Sequence, residues 1–165
     1  EDVLNGREGV SIANYNCPGQ IVITGEAKAV AEAGTALKEA GARRVLPLKV
    51  SGPFHSPMMR PAGEELAKVF AGVSMNPLKV PYVANINAEV ITDCGKIEEL
   101  LVAQVSGSVR WQQSVETMIR EGVDTFVEIG PGKTLTGFLR KIDKNVKSYH
   151  IGSWEEAVLV CEELK

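Results

Sequence analysis

β-type residues fill the chain from Val10 to Asn16, break at Cys17-Pro18-Gly19, and resume over Gln20-Ile21-Val22-Ile23-Thr24. Two short runs around a proline-glycine turn predict a hairpin. Glu26 to Ala40 then sets alanine, leucine, lysine and glutamate in a helical pattern. It stops at Gly41, a residue suited to the position just past a helix end. Arg44-Val45-Leu46-Pro47-Leu48 predicts a third strand, at an edge or a strand end because proline has no N–H for a ladder. The order β-β-α-β is that of a ferredoxin-like lobe, β-α-β-β-α-β, without its first strand and most of its first helix. Element order alone therefore predicts a truncated chain.

The rhythm changes after residue 49. A helix is expected from Pro57 to about Ala71, opened by proline in its first turn and less regular there because of Pro61. Val80 to Asn85 reads as a strand, and Lys96 to about Val105 and Trp111 to Arg120 read as helices. Thr125-Phe126-Val127-Glu128-Ile129 is a short, mostly apolar strand ending at Gly130-Pro131-Gly132. A helix over Thr134 to Lys141, a strand over Ser148 to Ile151 and a final helix follow. Ser153 caps that last helix, with Glu156 three residues on completing a capping box. Strands alternating with helices predict a parallel α/β sheet. The chain thus divides into a partial ferredoxin-like lobe, 1–49, and a larger α/β lobe, 50–165, with no internal repeat.

Composition narrows the function classes. The 165 residues are 44% hydrophobic and 24% charged, ordinary for a globular chain long enough for one domain or two small lobes. Net charge is −3, which gives no basic stripe for nucleic acid. The apolar runs are too short for a membrane span. The N-terminus has neither the features of a signal peptide nor an initiator methionine, and predicts a processed or shortened chain. Cys17, Cys94 and Cys161 are odd in number and widely spaced. They predict free thiols in the cytoplasm, with Cys161 on the apolar side of the terminal helix.

One of only two histidines, His55, lies in Val50-Ser51-Gly52-Pro53-Phe54-His55-Ser56-Pro57. Glycine and proline stiffen its approach, and a proline-led helix follows. A neutral imidazole there can take a proton from a hydroxyl and return it; a histidine bonded within its loop fits the same residues. His150, in a terminal strand, reads as structural. The search for a nucleophile fails. Gly9-Val10-Ser11-Ile12-Ala13 and Gly72-Val73-Ser74-Met75-Asn76 both miss the strand–elbow–helix pattern, and Ser51 and Ser56 stand too close to His55 in sequence. Gly130-Pro131-Gly132-Lys133-Thr134 resembles the end of a phosphate loop, but the required first glycine is Val127. A tight turn is the better reading, which still leaves a helix N-terminus that could face an anion. No metal signature is present.

Four segments in order resemble the malonyl-CoA:acyl-carrier-protein transacylase family over nearly the whole chain. They are Asn14 to Gly25, Leu46 to Ser56, Gln104 ahead of Val109-Arg110-Trp111, and Glu128 to Gly137. The resemblance implies a serine that attacks the malonyl thioester of CoA, with a histidine matching His55 serving as base in both half-reactions. It implies that a backbone carbonyl matching that of Gln104 accepts the other imidazole N–H, the part played elsewhere by aspartate; the side chain at Gln104 then matters less than its position. Asn14 and Asn16 match asparagines on the small-lobe face of the cleft, where turn formation is their alternative role. Phe54 resembles the malonyl-selective pattern, its bulk crowding an α-methyl group. Malonyl-CoA is the substrate, acyl carrier protein the partner, and no cofactor or metal is implied.

The family's Pro-Gly-Gln-Gly turn, its Gly-His-Ser-x-Gly elbow and its carboxylate-binding arginine have no counterpart here. The chain therefore resembles roughly the C-terminal half, with the C-terminal part of an α/β-hydrolase-like acyltransferase lobe after residue 50. It is expected to be inactive alone and to bind its missing N-terminal half or itself. Two alternatives stand beside this reading: a non-catalytic module binding acyl carrier protein through Arg43, Arg44, Arg60, Arg110 and Lys133, and a fragment of a polyketide synthase acyltransferase. The simple terminal helix favours a stand-alone enzyme.

Overall fold

The computed structural model describes residues 2–165. After a short 3-10 turn at Asp2–Leu4, β1 (Val10–Cys17) and β2 (Gln20–Gly25) form the expected antiparallel hairpin. Cys17 and Gln20 face each other across the two-residue Pro18-Gly19 turn. The ladder slips between Ile12 and Asn14, where two steps along β1 meet one on β2, the signature of a bulge. Helix α1 (Ala27–Glu39) ends as its sequence requires. Gly41 adopts φ +95°, its N–H bonds Lys38 C=O at 3.0 Å and the Ala42 N–H bonds Leu37 C=O at 2.9 Å. That double bond satisfies carbonyls the last turn leaves open.

The third strand expected over Arg44 to Leu48 does not form. A strand is defined by the ladder it joins, and among the described residues this segment has no partner strand. Leu46 and Leu48 stand 63% and 60% exposed. The first lobe is therefore β-β-α followed by an irregular segment.

A 3-10 turn, Pro57–Met59, leads into α2 (Arg60–Phe70), so the proline-rich start is the less regular part of that helix. The strand expected over 80–85 shrinks to β3 (Tyr82–Val83), which pairs antiparallel with an unexpected β4 (Val90–Ile91). Pro81 has no N–H to extend it. Helices α3 (Ile97–Ser106) and α4 (Trp111–Arg120) follow. Then β5 (Thr125–Ile129), α5 (Thr134–Ile142) and β6 (Lys147–Ile151) make one βαβ unit whose strands run parallel over five paired residues. The final helix is α6 (Trp154–Glu163), where Ser153 Oγ accepts the Glu156 N–H at 3.2 Å. The Glu156 carboxylate reaches back one residue further than a capping box predicts, to Gly152 N–H at 2.6 Å. Cys161 is exposed and Val160 is the buried neighbour, the reverse of the sequence expectation.

The tightest packing lies where α4 and α5 meet β1. Ala13 and Cys17 of β1, Ser114 and Val115 of α4, and Leu139 of α5 are all buried there. Elsewhere the interior is thin. The accessible surface is 11242 Å², against about 8,000 Å² expected for a compact monomer of this mass. The excess includes Val127 and Ile129 on β5 and Trp154 and Leu159 on α6, although parallel sheets are normally covered on both faces.

Candidate active site

His55 is half-buried and its backbone is left-handed, with φ +58°. For a residue other than glycine this conformation costs about 1–3 kcal/mol and persists only where the surroundings enforce it. Its neighbour Ser56 is 1% exposed. Ser56 Oγ donates to Pro53 C=O at 2.7 Å and accepts the Met58 N–H at 3.3 Å, capping the 3-10 turn that follows. Its hydroxyl is thus engaged with local backbone groups rather than with the His55 ring.

The partner of the ring comes from 49 residues away. His55 Nδ1 lies 3.1 Å from the Gln104 carbonyl oxygen. That carbonyl is free because α3 ends two residues later, at Ser106, with Gly107 extended, and the last four carbonyls of a helix have no intrahelical donor. The proton is assigned to Nδ1 because the carbonyl, which only accepts, is the nearer partner at 3.1 Å; Gln104 Nε2 lies 3.5 Å from Nδ1 and donates to Gly107 C=O at 3.0 Å. This leaves Nε2 with a lone pair. The carbonyl also sits at the negative end of the helix dipole. The Gln104 side chain is not idle: by holding Gly107 C=O it fixes the turn that ends α3.

That turn is tied to the hairpin. Ser108 Oγ donates to Ile12 C=O at 2.5 Å, Val109 N–H to Ala13 C=O at 2.7 Å, and Tyr15 N–H to Val109 C=O at 2.9 Å. Asn14 bridges Val109 at the centre of this contact and is half-buried, as is Asn16. Neither asparagine side chain takes part in the His55–Gln104 hydrogen bond. Phe54 is 47% exposed. The surface depressions between α5 and β6 and between α2 and α3 include none of these residues.

The glycine-rich turn after β5 does face an anion, and the anion is the chain's own. Glu128 accepts the Leu135 N–H at 3.0 Å, the Thr136 N–H at 2.7 Å and the Thr136 hydroxyl at 2.6 Å, so the start of α5 is filled and the phosphate reading fails. Burial pushes the Glu128 carboxyl up, but the Thr136 and Leu135 hydrogen bonds and nearby His150 outweigh it and hold the group below its ordinary value. His150 Nε2–H donates to Gly130 C=O at 3.0 Å, and Nδ1 lies 3.5 Å from Glu156. Gly130, with φ +138°, makes the bend that these bonds secure. The Glu156 carboxyl is held low, first by the Gly152 N–H. Sequence reasoning missed Glu128 as a cap because it lies eight residues before Thr136, outside any local capping spacing. It missed Ser56 as a cap although serine before Pro57 carries that signal. Arg43, Arg44, Arg60, Arg110 and Lys133 are all exposed. Among the described residues, no helix is long and apolar enough to cross a membrane.

Against known proteins, the acyl transferase domain family model matches residues 1–158. The malonyl CoA-acyl carrier protein transacylase of Bacillus subtilis is 44% identical over 156 residues, covering 94% of this chain and 49% of its own length. The crystal structure of MCAT from Streptococcus pneumoniae aligns with a TM-score of 0.88 at 44% identity, over 93% of this chain and 50% of that one. The malonyl CoA-acyl carrier protein transacylase from Clostridium perfringens aligns at 0.92 and 39% identity, over 99% and 52%. The chain spans about half the length of the curated relatives it matches.

Proposed function

The chain belongs to the acyl transferase domain family, and on that premise we propose that it is the base-bearing part of a malonyl-CoA:acyl-carrier-protein transacylase of fatty acid biosynthesis. In this scheme a serine outside these 165 residues attacks the malonyl thioester carbonyl of CoA while His55 Nε2 takes the serine proton. The same nitrogen returns that proton to the CoA sulfur as the C–S bond breaks, leaving malonyl-serine. The pantetheine thiol of acyl carrier protein then gives its proton to His55 and attacks the ester. The serine oxygen leaves and recovers the proton. Gln104 C=O holds Nδ1–H through both steps and stabilises the transient imidazolium, as an acidic side chain does in other triads.

The observation that carries this reading is the 3.1 Å contact between His55 Nδ1 and the Gln104 carbonyl, which points the basic nitrogen away from its anchor. The scheme calls for no metal or cofactor. Asn14 and Asn16 serve the substrate side of the small lobe (1–49), and Phe54 crowds an α-methyl group. The five exposed cations Arg43, Arg44, Arg60, Arg110 and Lys133 suit an acidic carrier protein. Three free thiols suit the cytoplasm. The surface excess over a compact monomer suits cover by the remainder of the enzyme or by a second copy.

The test is malonyl transfer by this chain alone, by the enzyme reassembled with its remaining half, and by that enzyme carrying His55→Ala. The chain alone is expected to be inactive, since it brings neither nucleophile nor oxyanion donors. His55→Ala is expected to lower turnover by at least about a hundredfold. Unchanged turnover in that variant would remove the base role and leave a module that binds the carrier protein without catalysis.

A further inference from the structure

The transferase reading rests on one imidazole, and His55 occupies a conformation that side-chain-bearing residues avoid. Two anchors are needed to hold it: one for the ring and one for the backbone. Gln104 C=O supplies the first. We propose that Ser56 is the positioning residue that supplies the second, locking the left-handed turn at His55 and so aiming Nδ1–H at the Gln104 carbonyl.

Pro53 to Ser56 is a four-residue turn with His55 third, the place where a positive φ is tolerated. Such a turn is ordinarily closed by an N–H of its fourth residue on the carbonyl of its first. In this turn, which the backbone marks at Phe54 and His55, the hydroxyl of Ser56 adds its own bond to Pro53 C=O at 2.7 Å. The same oxygen takes the Met58 N–H at 3.3 Å and starts the next turn. It therefore fixes the chain on both sides of His55. Ser56 is 1% exposed, so water is poorly placed to replace the lost hydroxyl. Nothing in the proposed chemistry consumes this group.

The inference rests on the transferase reading for its kinetic readout alone; the ring spectrum reads it directly. In the reassembled enzyme, Ser56→Ala is expected to lower kcat by about ten- to a hundredfold with KM unchanged. The ¹⁵N ring signals of His55 are expected to change from the Nδ1–H tautomer to a mixture. Ser56→Thr, which keeps the hydroxyl, restores both. The proposal is overturned if Ser56→Ala keeps a single tautomer, whatever its rate, or if Ser56→Thr melts like wild type yet behaves like the alanine variant. Should Ser56→Ala fail to fold, Ser56→Cys, of similar shape with a weaker donor, is read by the same two measurements. If His55→Ala leaves turnover intact, the transferase reading falls, and the tautomer still decides the role of Ser56.

Discussion

Glu128 shows how much one side chain can settle. Three donors from the start of α5 converge on its carboxylate, and the group is held below its ordinary value although burial opposes this. A lowered folded-state value means that ionised Glu128 adds stability above about pH 4.3, the unperturbed value, and that this increment disappears as pH falls through the folded value. Glu128→Gln is therefore expected to lower stability by about 1 kcal/mol at neutral pH, the scale of a lost cap. Urea midpoints at pH 7 and pH 3 check this: the gap between wild type and variant narrows in acid. A gap that stays constant would mean that the charge itself contributes nothing.

At the scale of elements, α4 joins the two halves of the chain. Val115 is fully buried where α4 packs on β1, and a cavity there has little freedom to collapse. Val115→Ala is expected to cost about 2 kcal/mol, measured by denaturant unfolding; a loss below about 0.5 kcal/mol would mean the site relaxes. The span of α4 was legible because Trp111 to Arg120 is a self-contained pattern bounded by Gly122. The same holds for β5, a short apolar run stopped by a glycine turn. Arg44 to Leu48 misled because its composition suits a strand while pairing depends on a neighbour elsewhere. β4 was missed because two residues carry no period. His55 was legible as a stiffened, proline-flanked imidazole, but its acceptor was not. Nothing local marks Gln104 C=O as open, 49 residues on, and that pairing came from family resemblance. The bond from Val109 to β1 had no sequence signal, since it is made by main-chain atoms on the free side of a bulged strand.

At the scale of the whole molecule, three separate two-stranded sheets among the described residues and a surface about 3,000 Å² above that of a compact monomer describe a body with uncovered faces. Isolated chain is expected to bind a hydrophobic dye such as ANS strongly and to self-associate as concentration rises. On the function proposed above, addition of the rest of the enzyme is expected to suppress both, followed by fluorescence and sedimentation. Dye binding no stronger than that of an ordinary monomer would mean that the exposed apolar residues form no continuous patch.

Because Ser108 and Val109 are stitched to β1, the wall bearing Asn14 and the support beneath His55 form a single stiff block. Swinging the hairpin outward would therefore drag the Gln104 carbonyl, and the His55 ring bonded to it, along with it.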